Sequence, residues 1–489
     1  MSPELTSLAN EPAAADAARS IRGRLPPGGL FAGQDWRLSP TPFPLAPELA
    51  SELQTLGRVL LQFNRAVNRL YRQSLAGQQP PWVAAWLDQG KPAGLLELQR
   101  ATAFKHEVPR VLRPDLLLTD AGFRIVELDA VPGGIGATAW LNETYCALNR
   151  QPPTPDPRSS ILHLPSPPPV LGGAALGPAK RSEAGPPSSA AILGGPDGML
   201  AGFAGIFGDA ARVHIVVSKE SATYRPEMVW LAERLNTRPG PRFTVRDDTF
   251  ETFADGDAVY RFFELFDLPN VPAAARIFEL AAAKRIRLTP PPKPVFEEKL
   301  LFALLWNRNL RGFWRQELGE GFFERMLKLV PYTWLVDPAP LPPHAALPEL
   351  GLTDWHQLKA LSQRERELIL KVSGFSAEAW GARGVYLGSD LSAADWSAAV
   401  DTALRRFSAS PHILQRYCRP KVVEAAWFDF EQNQLRPMNG RARLCPYYFV
   451  AGEGDAARAN LSGVLATICP IDKKIIHGMK EAILAPACG

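Results

Sequence analysis

The chain has 489 residues, 46% of them hydrophobic and 21% charged, which is too much apolar content for a disordered chain and enough for a large core. Its net charge of +4 is too mild to argue for a nucleic-acid partner. Five cysteines without a CxxC, and histidines without zinc-motif spacing, argue against a disulfide scaffold and a zinc site.

The N-terminal stretch lacks a basic start followed by an apolar run, so it does not read as a signal peptide. The longest helical apolar run, Leu300 to Trp306, falls far short of the roughly 20 residues that span a bilayer. The chain reads as cytoplasmic, with reduced thiols and no membrane partner. Its length fits about three domains. Residues 1–35 are rich in Ala, Pro and Gly and read as a mobile tail. The region 36–150 opens with a helix from about Pro47 to Ala76. There Leu49, Leu53, Leu56, Leu60, Phe63, Val67 and Leu70 fall on one stripe, with Pro47 at its first turn and Gly77 at its cap.

Two strand-like runs follow, Arg113 to Thr119 and Phe123 to Asp129, joined by Asp120-Ala121-Gly122. Pairing Thr119 with Phe123 sets Asp115 opposite Glu127 and Arg113 opposite Asp129, with all four side chains on one face. Leu116, Leu118, Val126 and Leu128 fall on the other face. Opposed carboxylates repel each other, and a divalent cation relieves that repulsion. Oxygen ligands alone select a hard ion, above all Mg²⁺, and the rim arginine suits a phosphoryl oxygen. The alternative is a solvated face holding an Arg–Asp ion pair. Next comes Gly133-Gly134-Ile135-Gly136, then a helix over 137–148, whose start attracts anions. Gly134 to Ala139 loosely matches a dinucleotide fingerprint, but prolines from 152 onward stand where its second strand belongs.

Residues 151–190 are Pro- and Ser-rich and read as a linker or disordered insertion. Over 191–294 a strand (213–217), a helix (226–235) and two further strands predict an α/β layer on the substrate side, closed by prolines at 289–294. The region 295–489 mixes helices (296–306, 321–329, 393–406) with strands (368–372, 412–418, 422–430, 435–443). Lys299 lies in the first turns of the first of these helices. Lys371 nears the end of a strand that runs into a loop with Gly374, Gly381 and Gly384, where the backbone can approach phosphates. The P-loop pattern is absent. Gln415 lies on a strand that could form a hinge between lobes. Arg441 and Arg443, two apart on one strand face, suit triphosphate oxygens or simply mark a basic edge strand. The acidic run Asp429 to Asn433 reads as a hairpin turn.

Together these segments resemble the ATP-grasp synthetase domain of glutathionylspermidine synthase and its bacterial relatives. The resemblance rests on Arg113-x-Asp115 followed by Glu127-x-Asp129, on Glu298-Lys299-Leu300-Leu301, on Lys371 before its glycine loop, and on Gln415. Asp129 stands where that family commonly has Asn, and no counterpart of the family's amidase domain is seen. The resemblance implies a mixed α/β fold with an ATP-grasp-like nucleotide site between two lobes in 295–489. It implies ATP and Mg²⁺, two ions, with Asp115, Glu127 and Asp129 as metal ligands and Arg113 as the catalytic residue at the transferring phosphoryl group. Lys299, Lys371, Gly374, Gly381, Gly384, Gln415, Arg441 and Arg443 would hold the nucleotide. The activity implied is an ATP-dependent ligase joining a small-molecule carboxylate to an amine or thiol through an acyl phosphate. The alternatives are a nucleotide-binding scaffold or regulator without catalysis and, more distantly, an NAD-type oxidoreductase. Tyr224, Arg225, Glu264, the 133–140 turn and Asp472 to Gly478 are substrate-side candidates by neighbourhood alone.

Overall fold

A computed structural model describes residues 11–28, 36–149, 191–342, 345–379, 381, 383–476, 478 and 480–489. The segment expected to be a linker, 151–190, lies outside the described residues, as do residues 1–10 and 29–35 of the expected tail. The rest of that tail departs from expectation. Glu11–Gly23 is a helix, and its Ala18 and Ile21 are fully buried in the main core.

Three sheets make up the mixed α/β fold. The largest has eight strands and is built around Gln434–Ala451, which pairs antiparallel with Arg458–Pro470 on one side and with Val111–Thr119 and Val422–Asp429 on the other. The expected strand at 435–443 thus runs on to Ala451. Pro446 sits inside it opposite Val464, and a register shift falls at Tyr447/Tyr448. A four-stranded antiparallel sheet follows the order Val385–Leu387, Leu368–Val372, His412–Arg416, Thr333–Leu335. A four-stranded parallel sheet follows the order Arg242–Asp247, Arg212–Val217, Ala258–Phe262, Arg287–Thr289. Its inner strand Arg212–Val217 is buried from Val213 onward because both faces are covered.

The long helix spans Pro47–Leu75 and buries the expected stripe, with Leu53, Leu56, Leu60, Phe63, Val67 and Leu70 all at or near zero exposure. At roughly 1.5–3 kcal/mol per large apolar side chain, that stripe is enough to seat the helix on the large sheet. Two other helices differ from expectation. The run 296–306 divides into a 3-10 turn, Pro294–Glu297, and a short helix, Leu301–Trp306, with Glu298 extended between them. The link stays non-helical because the Lys299 N–H donates to the Ser373 carbonyl (2.9 Å) and the Leu300 N–H to the Ser373 hydroxyl (2.8 Å). The helix expected at 321–329 begins at Arg311 and kinks at Gly319. No helix among the described residues is long and apolar enough to cross a membrane.

Candidate active site

The acidic hairpin forms as Val111–Thr119 and Gly122–Asp129, and Arg113 pairs with Asp129 and Asp115 with Glu127, as expected. The turn end differs. Thr119 pairs with Gly122, one residue short of the expected partner, and a bulge beside Asp115/Leu116 takes up the difference. Val126 is the extra residue. It turns to the same side as Leu117, while Phe123 and Ile125 join Leu116 and Leu118 in the core. The bulge therefore preserves the acidic register while changing which residues form the apolar face.

The hairpin's charged face lines a cavity of about 290 Å³ where the three sheets meet. Arg443 reaches it from the neighbouring strand, Lys371 from the small antiparallel sheet, and Lys299 from the extended link before its short helix. The parallel sheet contributes Ser221, Tyr224, Phe262 and Glu264, all at or just beyond the carboxyl ends of its strands. Crevices at those ends are the usual ligand positions in open α/β sheets. Leu117 lies two residues beyond Asp115, and Ile369 two before Lys371, so the charged wall passes into an apolar one on both sheets. Tyr417 and Pro420, just past the Gln415 strand, line the same cavity.

Basic side chains meet every carboxylate of the hairpin. Arg113 Nη2 lies 2.8 Å from Asp129 Oδ2 and 3.2 Å from Asp115 Oδ1, and Arg443 Nη1 lies 3.2 Å from Asp115 Oδ2. Lys299 Nζ lies 2.8 Å from Glu127 Oε1 and also donates to the Ala379 carbonyl. Burial disfavours the ionised form of Glu127, but the neighbouring Lys299 outweighs it and holds the carboxyl below its usual range. Asp129 is pushed up, by burial first and then by Glu127 and Asp115 against the pull of Arg113. Burial opposes the charge on Lys299, yet Glu127 keeps its ammonium above the usual range. Lys371 has no carboxylate at contact. It donates to Gln415 Oε1 (3.0 Å) and the Val126 carbonyl (3.2 Å), and burial lowers it to about 8.

Two arginines and a lysine pair with the opposed acids and offset much of their mutual repulsion. Among the described residues, no group of three or more His, Cys, Asp or Glu side chains is arranged to hold a metal ion. Both oxygens of Asp115 are engaged by arginines, and Asp129 Oδ1 accepts the Val131 N–H. Two donors do await a partner: the Nε–H groups of Arg113 and Arg443 are buried without an acceptor.

The other residues singled out by sequence divide between the cavity and its supports. Gln415 is buried and bonds Lys371 on one side and Thr333 on the other, so it faces the lysine and does not line the cavity. Arg441 is likewise drawn off the cavity, donating to the carbonyls of Ile471 and Lys473. Gly381 lines the cavity, whereas Gly384 packs on Val372 and Glu378 and Gly374 on the Glu298 carboxyl. Residues 380 and 382 of the same loop, and His477, lie outside the described residues. Lys474 lines the cavity and pairs with Asp390 (2.7 Å). Arg225 is held by Asp247 and two backbone carbonyls, off the cavity. Glu264 is pushed well above the usual carboxylate range by burial and by Glu297. Asp429 to Asn433 is the turn it was read as, with Asp429 accepting from the Glu431 and Gln432 amides.

The helix start after Gly133 is occupied by one of the protein's own carboxyl groups. Glu227, fully buried on Arg225–Asn236, accepts the Gly136 N–H at 2.7 Å. A Cβ on Gly136 would stand 2.7 Å from Glu227 Cγ, so only glycine allows the approach. This fills the place a dinucleotide pyrophosphate would take and removes the oxidoreductase reading of that turn. Sequence reasoning missed Glu227 and also Tyr447, whose hydroxyl donates to the Gly133 carbonyl (2.6 Å) beside Arg113. Neither residue carries a motif signal.

No family model and no curated protein matches the sequence. Among solved structures, a glutathione synthetase-like effector from Globodera pallida superposes with a TM-score of 0.52 over 97% of this chain and 95% of that one, at 11% identity. The two chains share a fold. A putative gamma-glutamylcysteine synthetase from Methylobacillus flagellatus aligns over 90% of this chain and 87% of its own, at 12% identity, but its TM-score of 0.36 is too low to assign architecture. The likeness to the synthetase-like effector covers nearly the whole of both chains, so it is the overall fold that the two have in common. A shared fold does not carry substrate.

Proposed function

We propose that this chain is an ATP-dependent ligase of the ATP-grasp type that joins a carboxylate to an amine. The observation that carries the reading is the convergence of Arg113, Arg443, Lys299 and Lys371 from separate elements on one cavity, with two buried arginine donors left unsatisfied. Lys371, which meets no carboxylate, suits a phosphate directly, the other three cations are shared with the hairpin acids, and the adjoining apolar wall at Leu117, Ile369 and Tyr417 suits a purine ring. The glutathione synthetase-like neighbour and the motif resemblance to glutathionylspermidine synthase agree with this reading.

In this reading Lys299 and Lys371 hold the nucleotide phosphates. Arg113 meets the γ-phosphoryl group as it moves to a substrate carboxylate oxygen. The O–P bond to the substrate forms, the β–γ bridge breaks and ADP leaves. An amine nitrogen then attacks the acyl carbon, the C–N bond forms, and phosphate departs as the nitrogen loses a proton. The protein's part is to position reactants and neutralise charge. Magnesium, when bound, would offset the phosphate charge. It typically binds through one or two carboxylates plus phosphate oxygens rather than in an all-protein cage. Glu127 fits that role best, because its side chain is 38% exposed and only one of its oxygens meets Lys299. Asp129 and Asp115 stand beside it, though their oxygens must be shared with the arginines.

A coupled ADP-release screen against pools of amino acids, peptides and polyamines tests this. Sustained, multiple-turnover release is expected only with a carboxylate and an amine together, to stop with a chelator and to return with Mg²⁺. Arg113→Ala should slow ADP formation by roughly 100- to 1,000-fold while ATP affinity falls less than about tenfold. Undiminished turnover in Arg113→Ala would remove the assigned role.

A further inference from the structure

We propose that Lys91 is a positioning residue for Lys299 and the glycine loop, acting through the buried carboxylate of Glu298. The inference rests on the nucleotide reading of Lys299 given above. Lys91 lies in the turn between Pro81–Asp88 and Ala93–Arg100, more than 200 positions from the residue it contacts. Its Nζ stands 2.5 Å from Glu298 Oε1, and neither side chain has any solvent exposure. The other Glu298 oxygen accepts the Ser373 hydroxyl proton. Ser373 in turn takes the Lys299 N–H on its carbonyl (2.9 Å) and the Leu300 N–H on its hydroxyl oxygen (2.8 Å).

One buried ion pair thus ties together both lysine-bearing segments, since Ser373 follows Lys371 by two residues. The loop beyond Ser373 is held at the same point. A Cβ on Gly374 would come within 2.8 Å of the Glu298 carboxyl carbon, so the backbone there lies directly against the ion pair. Phe375 adopts a left-handed φ of 43°, and its ring centre is 5.8 Å from the Lys91 ammonium. A non-glycine residue keeps such a backbone angle only where its surroundings over-determine it. Ala379, further along the loop, accepts from Lys299 Nζ itself. An apolar pair could fill the same space, but it could not hold Ser373 by a directed hydrogen bond. The charge pair therefore supplies geometry to the phosphate end of the cavity.

The test uses the full-length protein and two variants, Lys91→Met and Lys91→Met/Glu298→Met. The single change strands a buried carboxylate and can unfold the chain, while the double change replaces the pair by side chains of similar length. Amide hydrogen exchange at Lys299, Leu300 and 373–379 is read beside the ATP and acceptor KM values. The double variant is expected to melt cooperatively, to exchange at Lys299 and Leu300 about tenfold faster or more, and to raise the ATP KM by a similar factor with acceptor KM within about twofold. A cooperative double variant with unchanged exchange and unchanged ATP KM overturns the proposal. So does a lowered melting temperature with no ATP-specific change. A wild-type protein that binds no ATP would sink the ligase reading instead, and exchange at Lys299 and Leu300 would then decide the latch by itself.

Discussion

Lys371 and Lys299 are the same residue type lining the same cavity, yet their charges are set differently. Lys299 touches Glu127, which holds its proton firmly, whereas Lys371 touches an amide and a carbonyl and falls to about 8 on burial. If the Lys371 ammonium binds phosphate, kcat/KM for ATP should fall as pH rises through about 8 in the free enzyme. A profile flat to pH 10 would show that Lys371 does not bind as a cation, and Lys371→Arg should move the limb upward because a guanidinium stays charged. The sequence named both lysines from their strand and loop settings. It could not separate them, because the separation comes from partners 245 and 44 residues away from Lys371 and 172 away from Lys299.

The Gly133–Gly136 turn shows how one element borrows charge from another. The helix Ile135–Asn149 presents its first amides to Glu227, whose burial raises it to about 7 from 4.5. The folded value lies above the unfolded one, so folding takes up a proton over that window. The contribution is fully present below about 4.5 and is lost as pH rises through about 7. It amounts to a few kcal/mol at most, at about 1.4 kcal/mol per pH unit. Glu227→Gln should therefore fold and show a flatter dependence of stability on pH between those values, measured by denaturant melts. An unchanged slope would place the charge elsewhere. Sequence reading recognised the anion-seeking helix start but not its occupant, because a buried carboxylate 91 positions on leaves no local pattern. The hairpin was legible for the opposite reason: both strands are contiguous, and the bulge at Val126 repaired a one-residue error at the turn.

At the scale of the whole molecule, the cavity exists only because three sheets from distant stretches of chain meet around it. A ligand that bridges them should stabilise the assembled state by binding linkage. ATP with Mg²⁺ at about 100 times its Kd contributes about 2.7 kcal/mol, a rise of a few degrees in melting temperature. NAD should leave the melting temperature unchanged, since Glu227 occupies the turn that a dinucleotide would need. Stabilisation by NAD and not by ATP would reverse the functional assignment.

The sequence by itself determined the long helix, the α/β layer and, with a bulge making up its turn error, the pairing of the acidic hairpin. Those depend on period, turn chemistry and nearby pairing, all written within a few tens of residues. Only the tertiary structure decided how the acids are neutralised, that Arg441 and Gln415 face away from the cavity, and that Lys91 and Glu227 brace it from elsewhere in the chain. Electrostatic partnership acts through space, and a buried charge finds its counterpart wherever the packed chain brings one, with no spacing rule to announce it.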